Sequence, residues 1–486
     1  MYLGLDLGTS GLKGLLIDDD QTPIASAYAP LSVAHPRPGW SEQDPADWIR
    51  AATSVLDSLH DRHRYALSAV RGIGLAGHMH GATVLGADAK PLRPCILWND
   101  TRSAREAAEL DANPAFREHA GNIVFAGFTA PKLRWLQRHQ PALFDATRSV
   151  LLPKDYLRLW LTGERISDPS DAAGTGWLNT GARRWSDELL TACNLRRDHM
   201  PALVEGSAAS GQLRADLAQR WGMRAAIVAG GGGDNAAAAV GLGAIANGAA
   251  LLSLGTSGVV FVATADYRPA PASAVHAFCH AIPDTWHHMG VMLNAAGALA
   301  WYARSVGAAP TTLTQQLGDR LTEPSDALFL PYLSGERTPH NHAAVRGAFL
   351  GLHPGHDRRA LTHAVLEGVA YALCDNVSAL EQAGADLTEL TAAGGGSQSR
   401  YWLTLIATAL NRPIRIPAHS DLGAAFGAAR LGLLAHSGAR PADVCHPPAS
   451  RECLEPVAAL RPAYETAYQR FKRAYPAVAA LADEAH

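Results

Sequence analysis

The chain has 486 residues, 48% of them apolar and 18% charged, with a formal net charge of -3. One hydrophobic core stops growing near roughly 250–300 residues, so two domains with separate cores are expected. The charge is near neutral without basic runs, and no apolar stretch reaches the ~18–20 residues of a membrane span, which argues against nucleic-acid and membrane partners.

The first segment, Leu3–Asp18, reads LGLDLGTSGLKGLLID. Apolar runs flank Gly8, Thr9, Ser10 and Gly11, the pattern of a β-hairpin closed by a glycine turn. Such a turn offers backbone N–H groups and two hydroxyls to phosphate oxygens. Asp6, at the end of the preceding strand, could hold Mg²⁺. An ordinary hairpin turn is the alternative. No charged region followed by an apolar one precedes this strand, and the six cysteines form no CxxC pair, so a cytoplasmic chain with free thiols is expected.

Asp44-Pro45, followed by Trp48, Ala52, Val55, Leu56 and Leu59, predicts a capped amphipathic helix with proline at its first position. Gly77-His78-Met79-His80-Gly81 then follows a strand-like Gly72–Ala76. His80 could exchange hydrogen bonds with sugar hydroxyls while Met79 packs on a carbon skeleton; a metal reading of the two histidines lacks a neighbouring carboxylate or cysteine. Trp98-Asn99-Asp100 with Arg102 offers an aromatic platform with polar groups, or simply a structural tryptophan.

In Ala225–Asn235 a short apolar strand meets four glycines and then Asp234, ahead of the helix-prone Ala236–Val240. The helix dipole would favour the anionic form of Asp234, which suits accepting a proton from a hydroxyl. The alternative is a plain capping aspartate, although a cap alone needs no open glycine loop. Next, Ala250–Ala265 reads ALLSLGTSGVVFVATA, so Leu7–Gly11 recurs as Leu254–Gly258, 247 residues on. An internal duplication explains this, with a boundary near 243–249 and domains expected at 1–245 and 246–486.

Asp357 precedes a second long helix, with Leu361, Ala364, Val365, Val369, Leu373, Val377 and Leu380 on one face and Gly384 closing it. Leu387–Ala393 reads as a strand, Gly394–Gly396 as a tight turn that lets backbone lie against a ring or phosphate, and Ser399 as the cap of a helix through Leu410. After about Ala435 no chemistry is legible. Strands alternate with helices, which gives an α/β class with mixed sheets.

The chain resembles the FGGY carbohydrate kinases from Met1 to about Leu434. The resemblance rests on DLGTSGLK (Asp6–Lys13), PGWSEQDP (Pro38–Pro45), GHMHGA (Gly77–Ala82), ILWND (Ile96–Asp100) and GFTAPKL (Gly127–Leu133). It continues through LLPKDYLR (Leu151–Arg158), SDPSDAAGT (Ser167–Thr175), GGGDNAA (Gly231–Ala237), LSLGTSG (Leu252–Gly258), PYLSGERTPH (Pro331–His340) and GGGSQSRYW (Gly394–Trp402). It implies two actin-like, ribonuclease H-like (ASKHA) domains around a nucleotide cleft, with ATP and Mg²⁺ and a sugar acceptor, D-xylulose. It implies Asp234 as catalytic base and Asp6 at the metal–phosphate site. Met79, His80, Gly81, Trp98, Asn99 and Asn235 would contact the sugar. Gly8, Thr9, Ser10, Lys13, Gly255, Thr256 and Ser257 would hold the phosphates, and Gly394, Gly395, Gly396 and Ser397 the adenosine. Partners are then a small sugar and ATP, with no nucleic acid or membrane and a homodimer left open. His78 and the fourth glycine before Asp234 depart from the family pattern.

Three rivals stand beside this reading. The same chemistry could act on ribulose, gluconate, fuculose or glycerol. A dinucleotide-binding dehydrogenase would need an acidic residue about 20 residues beyond the glycines, where Leu252–Leu254 offers none. A non-catalytic switch on the same fold would not need Asp6, Asp234 and the Met-His pair together.

Overall fold

The computed structural model describes residues 1–418 and 423–483. Two seven-stranded sheets organise it, and they share one plan. In the first, Tyr2–Leu7 pairs antiparallel with Gly11–Ile17 and parallel with Gly72–Gly77, which continues parallel to Ile227–Ala229. In the second, Ala250–Leu254 pairs antiparallel with Gly258–Thr264 and parallel with Leu390–Ala393, which continues parallel to Ile414–Pro417. Each sheet adds an antiparallel strand beyond that last one, Ala209–Gln212 in the first and Ser450–Leu454 in the second. The duplication seen in five residues therefore extends through six strands of each sheet, with Gly232–Gly233 added in the first and His276–Cys279 in the second.

Local signals behave as the sequence predicts. Asp44 caps the helix Pro45–Ser68 by accepting from the Ala46 N–H at 2.9 Å, and Trp48, Ala52, Val55, Leu56 and Leu59 are all buried. Asp357 caps Arg358–Gln382 through the Ala360 N–H at 2.8 Å, with Gly384 at φ +89° just past its end. Ser399 caps Arg400–Leu410. The single apolar face assigned to Arg358–Gln382 is a correction: Thr362, His363, Glu367 and Asn376 are buried as well. This helix lies against the second sheet on one side and against Arg400–Leu410 and Arg461–Asp483 on the other, so between its exposed ends no residue from Thr362 to Leu380 is left to water.

The helix Gly423–Ser437 comes late in the chain yet packs on the first sheet, against Gly72–Gly77, Tyr2–Leu7 and the helix Asp234–Gly241. It approaches backbone to backbone. A Cβ on Gly74 would lie 1.7 Å from the Ala428 carbonyl oxygen, and one on Gly4 would lie 1.9 Å from that of Ala425. Glycine is required there because only hydrogen fits.

Candidate active site

Strand register brings the two predicted carboxylates together. Asp6 pairs with Ala76, Ala76 pairs with Gly232, and Gly233 pairs with Gly77; Asp234 is the next residue and opens the helix Asp234–Gly241. Both side chains are half-buried. Burial pushes the Asp6 carboxyl up to about 7; the charge of Asp234 adds to this, and Lys13, its register partner, opposes it. Burial likewise raises Asp234, to about 6, against hydrogen bonds from Asn235. The expected stabilisation of the anion by the helix N-terminus is thus outweighed by desolvation. At neutral pH Asp234 still ionises, and its value suits a base working near pH 7.

Asn235 fixes that carboxylate. Its backbone N–H and its Nδ2 both donate to Asp234 Oδ1, at 2.7 and 2.9 Å, and Oδ2 has no protein partner among the described residues. The four glycines ahead of it do not form an open loop, as the sequence suggested. A Cβ on Gly230 would strike the Glu205 carbonyl oxygen, one on Gly231 the Leu75 carbonyl oxygen, and one on Gly233 the Met79 side chain. They let the chain thread between packed neighbours, and Gly231 alone among them has positive φ, at +76°.

The first turn carries Gly8, Thr9 and Ser10 at the mouth of this site. Its carbonyls are occupied: Ser10 O accepts from Leu31 N–H and Tyr28 Oη, and Thr9 O from Gln43 Nε2. Trp98, 43% exposed, donates its indole N–H to Thr9 Oγ1 at 3.0 Å, which ties the aromatic platform to the turn. Asn99 is exposed beside it. Arg102 and Asp100 form a buried ion pair beneath, so they support the platform.

Met79 and His80 form the wall opposite. His80 adopts φ +70°, a left-handed conformation that a histidine holds only when its surroundings fix it. They do so here. Lys132 Nζ and Thr129 Oγ1 donate to the His80 carbonyl at 2.8 and 3.1 Å, and His80 Nδ1–H donates to Gly174 O at 2.6 Å. Burial lowers His80 to about 3, so the ring is neutral and Nε2 is left as an acceptor. Gly81 is buried, and a Cβ there would meet Pro153 and Cys95; its place is packing. Lys132 was missed as a site residue, though a lysine inside the otherwise apolar GFTAPKL segment was a signal.

A second missed group lies beneath Asp234. Lys154 meets Asp155, Asp168 and Asp171 at 2.5, 2.8 and 3.2 Å, all fully buried. Ser170 donates to Asp168 and accepts from the Gly233 N–H at 3.2 Å, while Arg158 donates to the carbonyls of Ala229 and Gly230. Buried ion groups of this kind rarely add stability, and this one holds the chain that delivers Asp234.

In the second turn, Gly255 and Ser257 are half-buried and Thr256 is exposed. Its carbonyls accept from the Ala295, Ala296 and Gly297 N–H groups at the start of the helix Ala296–Ser305. Next to it, Gly394 and Gly396 press on Leu254, whereas Gly395 faces open space. Gly395 and Gly396 line a cavity of about 590 Å³ with Ala296, Leu299, Gln398 and Tyr401, of the size and mixed lining that a nucleoside requires. Ser397 is buried, its hydroxyl donating to Gly394 O at 2.6 Å, so it shapes the turn.

Elsewhere, Asp326, His353 and His356 are grouped closely enough to suggest a metal site. Each ring, however, accepts a backbone N–H at Nδ1, which places the hydrogen on Nε2 facing Asp326. A metal needs the Nε2 lone pair, so these residues form a loop clasp.

Comparison with known proteins fits this arrangement. The FGGY carbohydrate kinase N-terminal domain matches residues 1–241 and the C-terminal domain residues 250–436. A curated xylulose kinase from Escherichia coli K12 is 48% identical over 439 residues, 90% of each chain. A solved xyloylose kinase from Brucella ovis superposes with TM-score 0.98 at 61% identity, covering 99% of both chains. A solved xylulose kinase from Rhodospirillum rubrum superposes with TM-score 0.92 at 29% identity over 99% of both.

Proposed function

The chain belongs to the FGGY family of carbohydrate kinases, with the ASKHA fold, and we propose that it transfers the γ-phosphoryl group of ATP to D-xylulose, giving ADP and D-xylulose 5-phosphate. The observation that carries this reading is the Asp234 carboxylate, fixed through one oxygen by Asn235 and open at the other, beside the Met79–His80 wall. The names of the relatives supply the identity of the acceptor.

Phosphoryl transfer passes through a loose transition state, so the protein chiefly positions groups and neutralises charge. Asp234 Oδ2 takes the proton of the terminal sugar hydroxyl as it attacks. Met79 packs on the carbon chain, and His80 Nε2 accepts from a hydroxyl. The N–H groups of Thr9 and Ser10 and of Thr256 and Ser257, which meet no backbone carbonyl among the described residues, hold phosphate oxygens. The cavity at Gly395 takes the nucleoside.

The donor set fits Mg²⁺. Asp6 and Asp234 are hard oxygen ligands brought to one place, and the value of Asp6 is raised by burial and by the neighbouring charge of Asp234, which a bound cation would offset. Asp6 would hold the ion, which would supply charge neutralisation at the phosphates.

The test is initial-rate ADP formation with D-xylulose against D-ribulose, gluconate, L-fuculose and glycerol. The highest kcat/KM is expected for D-xylulose; a tenfold advantage for another acceptor reassigns the substrate. Asp234→Ala should lower kcat by at least ~10² with the fold intact, and near-normal turnover would remove Asp234 from the chemistry.

A further inference from the structure

The segment Pro331–His340 belongs to the second half of the chain, yet one of its side chains reaches the wall built by the first. The Arg337 guanidinium carbon lies 4.6 Å from the centre of the Phe125 ring. Phe125 packs edge-on against Phe128 at 5.8 Å, and Phe128 stacks on the His80 ring at 4.9 Å. Burial holds both His80 and His276 neutral, and the same charge adds to this.

The residues on either side are pinned. Glu336 Oε1 accepts from the Leu293 and Arg337 N–H groups at 3.0 and 2.7 Å. Thr338 exchanges two hydrogen bonds with Val291, its N–H donating to Val291 O and its Oγ1 accepting from Val291 N–H. Glu336, the neighbouring carboxylate, is thus turned toward amides and forms no ion pair with Arg337. Among the described residues no hydrogen bond or salt bridge engages the guanidinium; it lies over the Phe125 face and feels the charge of Glu336 without pairing to it.

A half-buried guanidinium carries five donors, and here no protein acceptor among the described residues takes them, so they can serve a ligand. What the site leaves open is an oxygen acceptor supplied by a ligand. We propose that Arg337 donates to the bound ketose at the end remote from Asp234, the C2 carbonyl oxygen included. This deepens the reading above and rests on Met79 and His80 forming the sugar wall. The two groups are complementary: His80 Nε2 only accepts and Arg337 only donates, which matches the hydroxyl and the carbonyl of an α-hydroxyketone. Because Arg337 comes from the second half, it also lets that half sense a sugar held by the first.

The experiment compares Arg337→Ala and Arg337→Lys with the parent. It measures equilibrium binding of D-xylulose by calorimetry, KM for each substrate, and recovery with added guanidinium chloride at tens of millimolar. The Ala variant should bind D-xylulose at least tenfold more weakly, in line with loss of a charge-assisted hydrogen bond. KM for ATP should stay within twofold, and guanidinium should restore sugar affinity in part. Lys keeps the charge but not the fork, and should fall between the two. An unchanged sugar affinity, a loss that falls on ATP instead, or no recovery with guanidinium overturns the proposal. Should the Ala variant not fold, the Lys variant decides it by the split between the two KM values. If the parent does not use D-xylulose at all, the substrate reading fails, and Arg337 is then tested on the sugar that is used.

Discussion

The two copies of LGTSG are identical in sequence and different in structure. In the first, Leu7 pairs with Leu12, and the Gly8 N–H donates to Gly11 O at 3.0 Å. In the second, Leu254 pairs with Gly258, and the Gly255 N–H donates to Ser257 O at 3.0 Å, so the turn is one residue tighter. Side chains of Trp98, Tyr28 and Gln43 hold the first; a helix N-terminus holds the second. The charged pair Asp6 and Lys13 sits only in the first copy, where the second has Ser253 and Val260. Identical turn residues thus guarantee a donor-rich bend, while register and chemistry are set by what packs around it. On the proposed reading, duplication gave two phosphate cradles and set the reacting groups beside one of them.

That asymmetry can be broken most directly at the paired positions. Asp6→Asn should lower kcat by roughly 10²–10³, the scale of losing one electrostatic stabiliser, while Ser253→Ala should stay within twofold. Equal losses at both positions would make the copies equivalent and end the comparison. A sharper version uses stability. Asp6 binds its proton more tightly in the folded state, near 7, than at the ordinary 3.8, so the folded protein loses stability as pH rises through that interval. Each pH unit there amounts to about 1.4 kcal/mol before solvent screening. Asp6→Asn should therefore be more stable than the parent at pH 8 in EDTA, by roughly 1–4 kcal/mol in denaturant unfolding, with the gap closing by pH 4. A gap that persists at pH 4 would place its cause elsewhere. The smallest effect belongs to the wiring: Trp98→Phe removes the donor to Thr9 and should weaken kcat/KM about 2–10-fold. No change would show that the first turn holds its shape without the platform.

Much of this was legible because it is local. Caps at Asp44, Asp357 and Ser399, both hairpins, and Asp234 at a helix start follow from residues a few positions apart. The duplication added a long-range prediction that local patterns could not, and the strand orders of the two sheets bear it out. What escaped the sequence depends on distant partners. The apolar setting of Lys132 marks it as buried but not its partner, the His80 carbonyl, and Lys154 looks like any helix lysine until three aspartates surround it. Asp234 looked dipole-stabilised because the helix is visible in sequence and the burial is not. The glycines before it looked like an opening, when neighbours at Glu205, Leu75 and Met79 were what demanded them.

The docking of Gly423–Ser437 on Gly4, Gly72 and Gly74 has a consequence for how the chain is made. Residues 1–241 leave the ribosome long before the helix that covers their sheet, so the nascent first half must wait with that face bare. A chain cut near residue 245 would keep the Asp6–Asp234 pair in its sequence and still lack the element that closes the sheet beneath it.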